Sequence, residues 1–291
     1  MDFNRYYEDR QKLVNTFLEK RLEKKGISRV DEAMAYSLLA GGKRIRPIIL
    51  MATADALGVS GYNFLPVACG LEMIHTYSLI HDDLPCMDND DLRRGRPSCH
   101  KAFGEATAML AGDVLLTEAF EAIANAPACP QACVQAAKAL GLGAGSRGMV
   151  YGQELDLKYE ALAATEEQLR LIHRNKTGAL INAAVQMGAA AAGADADQCR
   201  ALEAYAYGIG LVFQIVDDVL DVTSTPEQLG KPIGSDSENG KTTFATLYGV
   251  EGAMALAQRV NKKTCSALRE TFGEKSAFLE QLAQQLLTRK N

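Results

Sequence analysis

Helical periodicity with few interruptions most limits the folds open to this chain. Phe64, Val67, Leu71, Ile74 and Ser78 step by three or four residues, as one face of a helix does. Leu169, Ile172, Lys176, Leu180 and Ala183 repeat the pattern. Alanine is abundant and only 8 prolines are spread over 291 residues, so helix is favoured and rarely broken. Alternating β-branched runs are hard to find. The expected breaks fall at Gly41-Gly42, 57–63, 93–97, 126–130, 193–197 and 223–240, the last being the longest. No composition shift, low-complexity tract or solenoid-period repeat divides the chain. The expectation is one all-α domain over residues 1–291, a large bundle of mostly antiparallel helices, because short breaks join antiparallel neighbours.

Several function classes are excluded early. Hydrophobic residues at 47% and charged residues at 23% are too apolar for a disordered chain. A net charge of −5 argues against a nucleic-acid partner held by simple electrostatics. No run of eighteen apolar residues is present, so membrane insertion is not expected. The polar start, Met1 to Arg10, lacks the apolar stretch of a secretory signal. Seven scattered cysteines without a C-x-x-C pair suit free thiols in a cytoplasmic location.

Two aspartate clusters carry the chemistry. The first runs from His81 through Asp82, Asp83, Asp88, Asp90 and Asp91 to Arg93-Arg94. Asp82 and Asp83 close an apolar helix at its negative end, where acidic residues are disfavoured. Asp82 and Asp88 lie about 240° apart on an ideal helix, so a straight helix would separate them. A distorted turn at Pro85 could bring them together. In the second cluster, Asp217 and Asp221 share a helix face at i, i+4 within the apolar stretch 211–220, with Asp218 between them. Carboxylates in apolar surroundings need cationic partners, and Mg2+ is the natural one for hard oxygen donors. The bland alternative is an acidic loop and a helix with one wet edge.

Mg2+ held by few carboxylates usually also binds a substrate phosphate, so phosphate-binding cations should exist. Candidates are Lys43, Arg44 and Arg46 after Gly41-Gly42, then Arg93-Arg94, Lys176-Thr177, Lys231 and Lys241. Each alone reads as a solvated surface charge. Together with the aspartates they make a coherent phosphate–metal site. His75 lies seven residues before Asp82, two turns back on nearly the same face, which favours a pocket position. Gly141 to Gly145 superficially suggests a nucleotide loop, but no strand precedes it, and it reads as close helix packing or a helix break.

In order along the chain stand G-G-K-R-I-R-P at 41–47, D-D-x-x-x-x-D at 82–88 with R-R-G at 93–95, G-Q at 152–153, K-T at 176–177, F-Q-x-x-D-D-x-x-D at 213–221, and G-K at 230–231 with Lys241 beyond. This succession resembles the trans (head-to-tail) isoprenyl diphosphate synthases, and the match covers about Gly41 to Thr243. The resemblance implies a bundle around a deep central cavity, a homodimer, three Mg2+ ions, and condensation of isopentenyl diphosphate with an allylic diphosphate. It implies Asp82 and Asp88 as ligands of one metal pair and Asp217 as a ligand of the third ion. Asp83, Asp218 and Asp221 would be secondary ligands or orienting residues. Arg93, Lys176, Thr177, Gln214, Lys231 and Lys241 would serve the allylic diphosphate. Lys43, Arg46, His75 and Arg94 would hold isopentenyl diphosphate. Thr177, through its backbone carbonyl, and Gln214 are the implied stabilisers of the allylic cation, and the released diphosphate is the implied base.

Product length should be set by the cavity floor. Ser78 lies one turn below Asp82, and Tyr77 lies roughly 7.5 Å below it along the axis. A tyrosine there resembles the farnesyl-forming bacterial members, in which an aromatic at this place stops elongation at fifteen carbons. Farnesyl diphosphate is therefore the expected product, with geranylgeranyl or geranyl diphosphate as alternatives. A terpene cyclase would not need Lys43, Arg46 or Arg94 and would usually carry more aromatics than 7%. A non-catalytic regulatory subunit should have lost an aspartate from one cluster, and both are intact.

Overall fold

Thirteen α-helices among the described residues build the chain, and its β structure there is a single two-residue hairpin, Leu92–Arg93 against Arg96–Pro97. The computed structural model describes residues 2–23, 28–160, 162–223 and 241–289. The helices are α1 (Phe3–Glu23), α2 (Arg29–Leu38), α3 (Ile45–Ala56), α4 (Leu65–Asp82), α5 (Cys99–Phe103), α6 (Glu105–Ala124) and α7 (Pro130–Ala144). They continue with α8 (Met149–Glu160), α9 (Glu166–His173), α10 (Ala179–Ala192), α11 (Ala196–Thr223), α12 (Phe244–Phe272) and α13 (Ala277–Thr288). The all-α expectation holds. So do the breaks expected up to residue 197. The long break at 223–240 lies, but for Thr223, outside the described residues.

The centre is α4. Val67 to Ile74, Thr76, Tyr77 and Ile80 are all buried, so the helix is covered on every side rather than along one stripe. Its neighbours are α6 and α3, with α1 and α10 completing the shell. Arg44, one of three cations in 43–46, serves this core rather than a ligand. It is buried, with its guanidinium on Glu72 of α4 at 2.8 Å, on Asn15 and on the Leu38 carbonyl. A buried charge needs such full pairing. The glycine-rich 141–145 stretch ends α7, and Gly143 abuts Ala183 of α10, which is the helix-packing reading. All seven cysteines are free. No helix among the described residues is long and apolar enough to cross a membrane.

Local signals explain the ends that frame the site. Ser28 and Asp31 form a capping box on α2, and Thr165 with Gln168 forms another on α9. Thr243 caps α12, and the Phe244 N–H at its first turn donates to Asp218 at 2.7 Å. That bond ties α12 to the aspartate-bearing end of α11.

Candidate active site

The end of α4, the turn after it, and the facing parts of α8 and the 174–178 turn surround a cavity of about 510 Å3. Arg46, His75, Tyr77, Ser78, Asp82 and Lys176 all line it. Helix α4 stops at Asp82, and the chain doubles back through Pro85 so that the Asp88 N–H donates to the Asp82 carbonyl at 2.9 Å. This is the distorted turn that the six-residue spacing required. Burial raises the Asp82 carboxyl to about 6 even against the nearby positive charge of Lys176, and Asp88 and Asp83 push it the same way. Burial also raises Asp88. Asp83 is buried and paired with Arg93, whose Nε stands 2.9 Å from it and whose other nitrogen reaches Asp90 at 3.0 Å.

Opposite, residues 174–178 form a π-helical turn between α9 and α10. Such bulges carry an extra residue per turn and recur at functional sites. Here the bulge turns Lys176 toward Asp156 of α8 at 2.6 Å and lets the Thr177 hydroxyl donate to Gln214 Oε1 at 2.6 Å. The bulge fits only because α8 carries Gly152: a Cβ there would stand 2.0 Å from the Lys176 backbone nitrogen. Lys241 meets the same carboxylate, 2.9 Å from Asp156 Oδ1 and 3.1 Å from Oδ2. Burial pushes Asp156 up, but the two lysines overcome it and hold its carboxyl below the usual carboxylate range. His173 is buried beside them, and burial pushes its imidazole down to about 4, so it is neutral.

A second group of cations gathers around Arg46 and His75, which line the same cavity. The Arg46 guanidinium meets His75 Nε2 at 3.2 Å. Arginine only donates, so Nε2 accepts. Burial, then Arg46 and Arg94, hold the His75 pKa well below its ordinary value, so the imidazole is neutral. Arg94 donates to the Gly41 carbonyl. Lys43 is near enough to Asp217 and Arg289 to feel both charges. On α11, Asp217 pairs with Arg289, which also donates to the Phe213 carbonyl at 2.9 Å and stacks on the Phe213 ring. Asp221 is buried. Lys231 lies outside the described residues.

Of the residues expected from the sequence, Arg46, His75, Tyr77, Ser78, Asp82, Lys176 and Thr177 line the cavity, and three neighbours of the site were not expected. Asp156 joins two lysines that are 20 and 85 positions away. Arg289, following α13, is far from any motif. Gln153, whose G-Q marker was noted without a role, lines the cavity, and its buried amide has no hydrogen-bond partner among the described residues.

Comparison with known proteins shows the family. A sequence model of the polyprenyl synthetase family matches residues 27–284. The chain belongs to that family. Among its relatives, a farnesyl diphosphate synthase from Geobacillus stearothermophilus is 48% identical over 87% of this chain and 86% of its own length. A heterodimeric geranylgeranyl pyrophosphate synthase large subunit of the Arabidopsis thaliana chloroplast is 42% identical over 100% of this chain and 80% of its own. The crystal structure of a geranyltransferase from Legionella pneumophila superposes with a TM-score of 0.84 at 41% identity, covering 98% of this chain and 95% of that one.

Proposed function

We propose that this prenyltransferase condenses isopentenyl diphosphate head to tail with dimethylallyl and then geranyl diphosphate, and stops at farnesyl diphosphate. The observation that carries the reading is one cavity lined by Asp82 and Tyr77 and by cations of both expected groups, Lys176 of one and Arg46 of the other. Two diphosphates need two basic sites, and a cyclase would need one. Geranylgeranyl diphosphate is the alternative end point, since synthases of that name are also among the relatives.

The acidic donors fit Mg2+. They are hard carboxylate oxygens, and burial first, then neighbouring carboxylates, raises the pKa values of Asp82, Asp83 and Asp88, a strain that a cation would relieve. Asp82, Asp88 and Asp217 would hold three Mg2+ ions, with Asp83, Asp218 and Asp221 orienting them. Bound there, Mg2+ supplies charge neutralisation to the departing diphosphate.

The chain's own residues do the rest. Lys176, Lys241 and Arg93 hold the allylic diphosphate, with Lys231 as a further candidate, and stabilise charge building on it. Lys43, Arg46 and Arg94 hold isopentenyl diphosphate, with neutral His75 receiving the Arg46 N–H and so fixing its fork. The Thr177 carbonyl and Gln214, whose Oε1 accepts from the Thr177 hydroxyl, would stabilise the allylic cation. The apolar cavity wall keeps water from the allylic cation, so the isopentenyl double bond attacks it instead. No side-chain base is required, because the released diphosphate can take the proton. Exposed Met109, Leu110, Leu116 and Phe120 on α6 support assembly as a homodimer, and the free cysteines support a cytoplasmic setting.

The test is isopentenyl dependence. Geranyl diphosphate with Mg2+ should be consumed only when isopentenyl diphosphate is added, yielding a longer linear diphosphate. A cyclic hydrocarbon formed from geranyl or farnesyl diphosphate alone would overturn the reading.

A further inference from the structure

His81 is the penultimate residue of α4, one position before the first metal-binding candidate, and no role described so far involves it. Its imidazole is inserted between α4 and α6. An ideal Cβ at Gly112 of α6 would stand 2.1 Å from His81 Nε2 and 2.5 Å from Cδ2. The ring therefore occupies the space of any side chain at 112. Nε2 stands 3.0 Å from the Met109 carbonyl, and since a carbonyl only accepts, Nε2 carries the proton and donates. The imidazole also meets Tyr77 edge-on, with ring centroids 5.6 Å apart and planes at 76°. That is a favoured aromatic arrangement. Tyr77, His81 and Met109 all line the cavity.

We propose that His81 is a positioning residue for product length: held in the Gly112 slot and tied to the Met109 carbonyl, it braces the Tyr77 ring and keeps it from retracting toward α6. The inference rests on the reading of Tyr77 as the cavity floor. A floor made of one ring on a helix stops a growing chain only while that ring cannot turn aside. The space it would turn into is filled by the imidazole, and the absence of a side chain at 112 is what allows the imidazole to be there.

Three variants test it, with products dephosphorylated and sized after incubation with geranyl and isopentenyl diphosphates and Mg2+. His81→Ala opens the space behind Tyr77. Gly112→Ala expels the imidazole from its slot and alters neither ring. Both should raise the ratio of C20 to C15 product by about tenfold or more, the scale on which pocket volume discriminates one apolar increment. His81→Gln, which keeps an N–H within reach of the Met109 carbonyl, should restore C15 as the end point. A merely structural role would lower turnover and melting temperature without lengthening the product. Tyr77→Ala, run alongside, separates the two readings. If it lengthens the product while His81→Ala and Gly112→Ala still stop at C15, the floor stands and the brace is wrong. If Tyr77→Ala also stops at C15, the floor reading fails and His81 has nothing to hold.

Discussion

At the scale of the residue, His173 shows how burial converts into behaviour. Its folded pKa, about 4, lies below the ordinary value of 6.5. The neutral ring's contribution to stability is thus complete above about pH 6.5 and is lost as pH falls toward 4. A shift of that size is worth on the order of 3 kcal/mol. Denaturant melts between pH 7 and 4.5 should show the loss, and His173→Phe should flatten it; an unchanged slope would contradict the assignment. Asp82 and Asp217 were legible in the sequence because a charge at the end of or within an apolar helix demands a partner, and Asp88 because its spacing from Asp82 across Pro85 implies a turn. Asp156 was not. It sits in the ordinary mixed stretch Gln153-Glu154-Leu155-Asp156-Leu157-Lys158, and its importance comes from Lys176 and Lys241, which only the fold brings to it. Arg289 was illegible for the same reason: its partners Phe213 and Asp217 are more than seventy residues away.

At the scale of the element, two distortions make the site, and they differ in how far the sequence announced them. The turn after α4 was foreseeable, since Pro85 ends the helix and the six-residue spacing of Asp82 and Asp88 needs a fold-back. The π-helical turn at 174–178 was not, because Leu169 to Ala183 keeps a helical period across it and a single inserted residue leaves little mark on the pattern. Only Gly152, with no room for a Cβ, records the close approach of α8. Gly152→Ala should therefore displace Lys176 as well as destabilise the protein, by about 1–3 kcal/mol as overpacking does. Melting temperature and the KM for the allylic substrate should both move, and a change in stability alone would detach α8 from Lys176 placement. On α4, Tyr77→Ala should lengthen the product, read by the chain length of the dephosphorylated prenols; unchanged C15 would remove Tyr77 from the wall that matters.

At the scale of the whole molecule, the aspartates come from α4 and α11 and the cations from α3, α10's preceding turn, the hairpin and the segment before α12. The site thus exists only when the bundle is assembled, and its ligands should stabilise the bundle. Mg2+ and inorganic diphosphate together should raise the melting temperature far more than either alone, because each completes the other's coordination. Saturation at about one hundred times Kd corresponds to nearly 3 kcal/mol. Equal shifts from Mg2+ alone would point instead to a structural metal. The all-α class and the breaks near 41, 57–63, 93–97, 126–130 and 193–197 followed from periodicity and composition, whereas which helices become neighbours did not, since packing partners are chosen by shape across long separations.

The central claim is one cavity that elongates by isoprene units and ends at fifteen carbons. It is tested most directly by supplying geranyl diphosphate, excess isopentenyl diphosphate and Mg2+, and following product length to exhaustion of the allylic substrate. The account predicts farnesyl diphosphate accumulating and persisting while isopentenyl diphosphate remains. Conversion of that C15 product onward to C20 by the unmodified protein would contradict it.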